Sequence, residues 1–420
     1  MSEINWNTRM ALKEYLDDDD DDRRKEQKAA PSGKAGDFEF IGKRLIRYCG
    51  PGKDVTFPEG FTTISDAVFQ NCEGAANITS ITIPKSITRI DHHAFSYCTN
   101  LSEIRVEAEN QHYCVIDGLL FEQDGMVLHS CPPARSGVLA VPEGVTQIAQ
   151  AAFAVCMRLT HVTIPKSVTR IDYYAFKFCR GLKSVTISEG VTRISEFAFW
   201  NCSGLTEVTI PESVTDIGDL AFSGCTNLTR VVIPKSVVRI GIAAFYGCTN
   251  LAEIQTDAGN PFYSVIDGLL LERDGPALYL HTCSAAKSGV LEIPEGINRI
   301  EEGAFGGCKD LTGVIIPGSV CDIGRDAFVS CSGLAHVTIQ EGVRFIGERA
   351  FSGCTNLTHL AFPKSICAIE YGAFYDTGMS EEAIQAAYDQ ADENRFLEAE
   401  FRERFDLVDI GWIYTSDDEV

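Results

Sequence analysis

The chain has 420 residues, of which 45% are hydrophobic and 23% charged, and its formal net charge is −23 at pH 7. Binding to a phosphate backbone or to an anionic membrane surface needs clustered basic residues, so we expect neither as a partner. No stretch approaches the roughly 18 consecutive apolar residues that span a bilayer, which argues against membrane insertion.

Residues 1–36 have the composition of a disordered acidic and linker tail. A short helical pattern from Ile4 to Leu16 is followed by the acidic run Asp17–Asp22 and by a stretch rich in Ala, Pro, Ser and Gly. The acidic run lacks the Gly and terminal Glu of a calcium-binding loop. The segment has no apolar core of the kind found in secretory signals, so we expect a cytoplasmic protein, with the cell surface as the alternative location.

Phenylalanine recurs every 23 residues through most of the chain, and a cysteine follows three residues after nearly every one. The phenylalanines are Phe153, Phe176, Phe199, Phe222 and Phe245, then Phe305, Phe328, Phe351 and Phe374, with Phe69 and Phe95 as earlier members. A fixed period in this range with a leucine-rich signature predicts a solenoid. Each repeat, here termed a rung, then buries its apolar face against its neighbours.

The rung at 205–225 shows how the repeat is built. Leu205, Val208 and Ile210 predict a strand whose inward positions alternate at its end. Pro211 has no N–H to donate, so it ends the strand. A second short inward-facing segment follows, and then Ala221, Phe222 and Cys225 fit one helical or 3₁₀ turn.

Thirteen rungs are expected, because the position of Pro211 recurs thirteen times between residues 58 and 363. Two rungs carry insertions, at about 108–137 and 258–289. Both insertions contain an Asp-Gly pair between apolar runs, Asp117-Gly118 and Asp267-Gly268, which is a hairpin signal. We therefore expect two small β-meanders that stand off the solenoid. Residues 38–48 predict a related hairpin that covers the first rung.

The solenoid is expected to occupy residues 37–375, and residues 376–420 to form an acidic helical cap and tail. This last segment holds 14 acidic and 3 basic residues, a net charge of −11. Ser380 is placed to cap a helix that begins with Glu381 and Glu382 and runs to about Arg404. Atypical terminal elements of this kind are needed to cover the ends of a solenoid.

The sixteen cysteines are interpreted as reduced, packed thiols. Ten of them occupy one position of the repeat, and the five from Cys156 to Cys248 are an odd, consecutive set that cannot pair among themselves. A buried free cysteine behaves as a small hydrophobic residue. Free thiols at this density fit a reducing compartment.

Outward-facing strand positions form the candidate binding face. They lie between the inward residues of successive rungs and vary in chemistry while the frame stays constant. A simpler interpretation is that Thr suits an exposed strand. The candidate residues are Glu103, Arg105, His161, Thr163, Ser184, Thr186, Glu207, Thr209, Arg230, Glu253, Gln255, His336, Thr338 and His359.

No constellation of catalytic or metal-binding residues is found in the sequence. His336 and His359 share a strand position on adjacent rungs, but no carboxylate or thiol accompanies them there. No nucleophile–base pairing, phosphate loop or zinc-ligand spacing occurs. We therefore expect no enzymatic activity, no cofactor and no metal.

The unit at 205–225, Leu-x-x-Val-x-Ile-Pro-x-Ser-Val-x-x-Ile-x-x-x-Ala-Phe-x-x-Cys, closely resembles the BspA-like, or treponemal-type, leucine-rich repeats. The resemblance covers about residues 37–375, including the insertions. It implies a right-handed α/β solenoid with a parallel β-sheet on its concave face and short helical or 3₁₀ turns. Members are largely proteins of host-associated microbes, and several are surface adhesins or bind other proteins. The repeat residues themselves are structural, so they fix no ligand.

Two functions are therefore carried forward. The first is a non-catalytic module that binds a protein partner through the concave face. The second is a bacterial cell-surface adhesin that binds host or matrix proteins.

Overall fold

A computed structural model describes residues 33–66 and 68–391. The expected N-terminal tail lies outside the described residues as far as residue 32, and so does the expected C-terminal region from residue 392. The described residues belong to two compact units, one ending at Gly118 and one beginning at Leu119.

The first unit consists of short strands and one 3₁₀ helix, Ala75–Asn77. Its strands are β1 (Gly33–Ala35), β2 (Phe38–Ile41), β3 (Arg44–Tyr48), β4 (Asp54–Thr56), β5 (Thr63–Ile64), β6 (Ser80–Ile83), β7 (Arg89–Ile90), β8 (Glu103–Val106) and β9 (Tyr113–Ile116). One sheet has the order β1-β2-β3-β5-β7, and a second has the order β4-β6-β8.

The expected hairpin at 38–48 is confirmed as β2 and β3, which pair antiparallel. It also has a role that the sequence did not reveal, because β3 pairs in parallel with β5, with Leu45 opposite Ile64. The hairpin therefore adds a strand to the ladder of short strands as well as covering the first rung.

The second unit repeats the same two kinds of strand many times. Its strands are β10 (Leu119–Glu122), β11 (Val127–Ser130), β12 (Ser136–Ala140), β13 (Gln147–Ile148), β14 (Arg158–Ile164), β15 (Arg170–Ile171), β16 (Ser184–Ile187), β17 (Arg193–Ile194), β18 (Glu207–Thr209), β19 (Asp216–Ile217), β20 (Arg230–Ile233), β21 (Arg239–Ile240), β22 (Glu253–Thr256), β23 (Tyr263–Ile266), β24 (Leu269–Asp274), β25 (Ala277–Cys283), β26 (Gly289–Glu292), β27 (Arg299–Ile300), β28 (Leu311–Ile316), β29 (Asp322–Ile323), β30 (His336–Ile339), β31 (Phe345–Ile346), β32 (His359–Ala361) and β33 (Ala368–Ile369).

These strands alternate between two sets of parallel sheets. The first set, here called the long-strand sheets, has the orders β12-β14-β16-β18-β20-β22 and β26-β28-β30-β32. The second set, the short-strand sheets, includes the runs β11-β13-β15-β17-β19-β21 and β25-β27-β29-β31-β33. Neighbouring strands pair in register, as Val185 with Val208 shows. The predicted solenoid is confirmed.

The third side of each rung differs from the helical turn that was expected. Around Phe222 the chain forms tight turns, in which the Cys225 N–H donates to the Phe222 carbonyl at 3.1 Å. Between them the backbone bonds to the next rung, and the Phe222 N–H donates to the Ala244 carbonyl at 2.9 Å. Leu220 takes a left-handed conformation with φ of 53°. The inter-rung hydrogen bonds thus replace a helix with a third ladder.

The interior is filled by stacked phenylalanine rings. Phe222 is 0% exposed and lies nearly parallel to Phe199 and Phe245, at centroid distances of 5.2 and 5.6 Å. Such offset ring pairs stabilise a core beyond the area that they bury.

The repeated cysteines lie beside these rings, and nine of the ten are buried, whereas Cys72 is half-buried. Each buried thiol in the regular rungs faces a carbonyl, as in Cys225, whose Sγ donates to the Phe199 oxygen at 3.3 Å. Burial raises the pKa of the Cys225 thiol well above its ordinary value. The expected packing role is therefore confirmed, and the thiol also pairs a backbone carbonyl that would otherwise be buried alone.

The insertions do not stand off the solenoid, and that expectation was wrong. In the second insertion β23, β24 and β25 form an antiparallel meander through the two-residue Asp267-Gly268 turn. The last strand, β25, then pairs in parallel with β27, with Leu280 opposite Ile300. The first insertion behaves alike, because β11 pairs in parallel with β13. Each meander thus continues a short-strand sheet.

A helix at 381–391 covers the end of the last rungs. Its N-terminus is capped as expected, since the Ser380 hydroxyl accepts a hydrogen bond from the Ala383 N–H at 3.2 Å. Ala387 and Ala391 are buried, and the Gln390 side chain donates to the Pro363 carbonyl. The remainder of the expected helix, to about Arg404, lies outside the described residues.

Candidate functional site

The candidate face is the outer surface of the long-strand sheets. Side chains alternate across a strand, so in β18 Val208 points inward and is 7% exposed while Glu207 and Thr209 lie on the outside. The same alternation on each rung gives two outward positions that are two residues apart.

The sheet from β12 to β22 brings most of the predicted residues together. Parallel pairing places one set in an unbroken column across adjacent strands: His161, Ser184, Glu207, Arg230 and Glu253. A second column has Thr163, Thr186 and Thr209 on successive strands, followed further along by Val232 opposite Gln255. Adjacent strands lie about 4.8 Å apart, so these side chains form one continuous surface.

The other predicted residues lie on different sheets. Glu103 and Arg105 are on β8 in the first unit. His336 and Thr338 are on β30, and His359 lies opposite His336 on β32. The fourteen residues therefore occupy three sheets, and only the nine on β14 to β22 share one.

Charges within each face pair with one another. The Arg230 Nε lies 3.2 Å from a Glu253 carboxylate oxygen, and its guanidinium also donates to the Gln255 amide oxygen at 2.8 Å. In the first unit, Arg105 binds the Glu103 carboxylate through two nitrogens. Exposed ion pairs contribute about 0–1 kcal/mol each. These residues accordingly offer mixed polar chemistry with little net field.

The paired histidines remain a surface feature. His336 and His359 are both exposed, and the His359 Nδ1 lies 3.0 Å from the Thr358 hydroxyl. Within 33–66 and 68–391, no group of three His, Cys, Asp or Glu side chains is arranged to hold a metal ion.

Two residues of this face were missed by the sequence reasoning. Val138 on β12 pairs with His161, and Val290 on β26 pairs with Gly313, so both belong to the outward columns. They are exposed at 73% and 66%. A register shift at Gly137 and at Gly289 follows each insertion, but counting four residues back from Pro142 and Pro294 would have found both valines.

A second outward cluster surrounds Lys177 on the turn side of the rungs. Its ammonium nitrogen lies 4.6 Å from the ring centre of Tyr174, 5.0 Å from that of Trp200 and 5.5 Å from that of Phe178. Burial lowers the pKa of Lys177 to about 8. Trp200 is only 6% exposed, so the cluster is closely packed and offers less open surface than the long-strand sheet.

The described part of the chain contains no helix that is both long and apolar enough to cross a membrane.

Repeated parallel rungs with a constant interior and varied outward columns define a leucine-rich-repeat solenoid. Within that class, the model of the BspA type leucine rich repeat region matches six copies, over residues 36–121, 138–260 and 281–400. The chain belongs to this family, as its sequence resemblance indicated.

Solved structures support the fold assignment. A leucine rich cell surface protein from Faecalibacterium prausnitzii is 29% identical, with 87% of this chain and 94% of that chain covered and a TM-score of 0.58. A leucine-rich repeat protein from Bacteroides ovatus is 23% identical (82% and 89% covered, TM-score 0.39). The pneumococcal vaccine antigen PcpA is 16% identical (83% and 74% covered, TM-score 0.38). No curated protein matches this chain.

Proposed function

We propose that the protein is a non-catalytic binding module that holds a protein partner on the outer face of the sheet from β12 to β22. The observation that carries this proposal is the in-register column from Val138 to Glu253, in which every strand presents a different side chain on an otherwise constant frame. Variation on a repeated scaffold is how solenoid proteins form extended binding surfaces.

The chemistry of the face suits a folded or extended protein surface. Five spacings of about 4.8 Å make the six strands roughly 24 Å wide. One end presents the exposed apolar side chain of Val138 beside His161, and the other presents the Arg230–Glu253 pair with Gln255. Threonines fill the middle. A partner would therefore place an apolar group at the β12 end and hydrogen-bonding groups at the β22 end.

The test is a charge reversal on the face, with a matched control elsewhere on the same rungs. The test variant carries Glu207→Lys and Arg230→Glu, which leaves the net charge unchanged. The control carries Lys166→Glu and Glu212→Lys, two exposed residues that follow the strands.

Affinity capture would compare the two variants with the natural chain against lysate of the source cells and against host matrix proteins. We expect the control to retain its captured partner and the face variant to lose it. Equal capture by both variants would contradict the assignment of this face.

A cell-surface adhesin is the second candidate function. It is supported by the structure from Faecalibacterium prausnitzii, which is described as a cell surface protein and is 29% identical over most of both chains. That likeness favours the surface location over the cytoplasmic location expected from the sequence. Protease treatment of intact cells tests it, because an adhesin would release peptides of this chain before the cells lyse.

A further inference from the structure

The strand β4 presents an open backbone edge. It is the terminal strand of the β4-β6-β8 sheet, and within the described residues β6 is its one strand neighbour. The Phe57 N–H donates to the Thr82 carbonyl and the Ser80 N–H donates to the Lys53 carbonyl, so the backbones of Lys53 and Phe57 face β6.

Alternate residues of a parallel strand direct their backbone groups to opposite sides. Asp54 and Thr56 therefore direct their N–H and C=O groups away from β6. The result is a short edge with two donors and two acceptors.

The other sheet of the same unit is covered differently. There the β2–β3 hairpin continues the ladder, because β3 pairs in parallel with β5. The turn between β1 and β2 instead lies next to β4, and between them is a cavity of about 280 Å³. The β4 edge is thus the wall of a cavity and not a flat exposed border.

The lining of this cavity combines three kinds of chemistry. Val55, Phe38 and Tyr48 are each 4% exposed and supply buried, largely apolar walls. Thr56 supplies the backbone edge, and Asp37 and Asp54 place two carboxyl groups at the rim. The cavity has no cationic lining residue. An occupant therefore needs an extended backbone, a small apolar side chain and a positive charge.

We propose that the β4 edge and its cavity bind an extended segment of a partner protein that carries a basic side chain. The segment adds as a strand beside β4, in the mode of recognition in which main-chain hydrogen bonds give affinity and alternate side chains give specificity. Its backbone bonds to Asp54 and Thr56, its apolar side chain enters the cavity, and its lysine or arginine lies near Asp37 and Asp54. This site is distinct from the face proposed above, so either can fail alone.

The probe is the acetylated and amidated peptide Thr-Val-Lys-Val-Thr-Val, titrated into the full-length chain and followed by backbone amide NMR signals. Two peptides serve as controls, one with Glu in place of Lys and one with alternate amides N-methylated to remove the donors. We expect the Lys peptide to shift the signals of Asp54 and Thr56. Each control should bind at least about fivefold more weakly, the factor expected when one hydrogen bond or one charge contact is lost.

A protein variant tests the same edge from the other side. Thr56→Pro removes an N–H that faces outward and leaves the hydrogen bonds to β6 in place, a position at which proline is tolerated on edge strands. We expect binding of the Lys peptide to fall about fivefold. Asp37→Asn should weaken the Lys peptide and leave the Glu peptide unchanged, and it tests the proposal if the proline variant does not fold.

Amide exchange in the free chain separates the other occupants. Protection of the Thr56 N–H without peptide would assign the edge to the chain's own N-terminal segment. Protection that rises with protein concentration would assign it to a second copy. Either result would overturn the proposal, and so would equal binding of the Lys and Glu peptides or no binding at millimolar concentration.

Discussion

Phe222→Ala tests whether the rungs are held together by their stacked rings. The ring is 0% exposed and contacts Phe199 and Phe245. Truncating a buried phenylalanine costs about 3–5 kcal/mol in transfer and cavity free energy. Each stacked pair contributes about 0.5–1.5 kcal/mol beyond burial. We therefore expect a loss in the upper half of that range, near 4–5 kcal/mol.

The loss should also be local, because each rung contacts only its neighbours. Hydrogen exchange followed by mass spectrometry measures it, since about 4 kcal/mol corresponds to roughly a thousandfold faster exchange. Peptides from rungs 199–245 should show that change, and those from 328–374 should not. Val138→Ala, at a side chain 73% exposed, is the control and should change stability by less than about 0.5 kcal/mol. A change below tenfold at Phe222, or an equal change in both regions, would refute this reasoning.

Three further predictions concern buried polar groups. Native-state thiol labelling should modify the exposed Cys49 and Cys321 first, and labelling of the buried thiols should require denaturant. Burial lowers the pKa of His281 to about 4. The unfolded chain alone therefore binds a proton as pH falls from 6.5 to 4, and urea titrations should show a loss of about 3 kcal/mol that His281→Gln abolishes. Arg349→Ala should cost about 3 kcal/mol in the same assay, because it leaves the Asp326 carboxylate without its two guanidinium bonds; a loss below 1 kcal/mol would contradict this.

The sequence allowed the rungs to be placed because their interior repeats strictly. Phe222, Cys225 and Val208 recur at fixed spacing, and each is buried as its spacing predicted. The turn at Leu220 was mistaken for a helical turn. Local propensity favoured helix there, but backbone bonds to the next rung stabilise a left-handed residue instead. Such bonds join residues 22 apart, which a local pattern does not reveal.

The insertions and the site show the same division. The Asp267-Gly268 pair identified a hairpin, because two-residue turns depend on local backbone conformation. It did not identify the parallel partner of β25, which is set by packing. For the outward columns, alternation assigned Glu207 and Thr209 to the surface. It could not show that Arg230 pairs with Glu253, since that contact depends on side chains 23 residues apart.

The thiol ladder bears on how long this protein survives outside a reducing environment. Twelve of the sixteen cysteines are buried, and their sulfurs are held in the protonated form that reacts slowly with peroxides. An oxidant reaches them only when a rung opens transiently. The lifetime of the protein in air is then set by how often its rungs separate, not by how many sulfur atoms it contains.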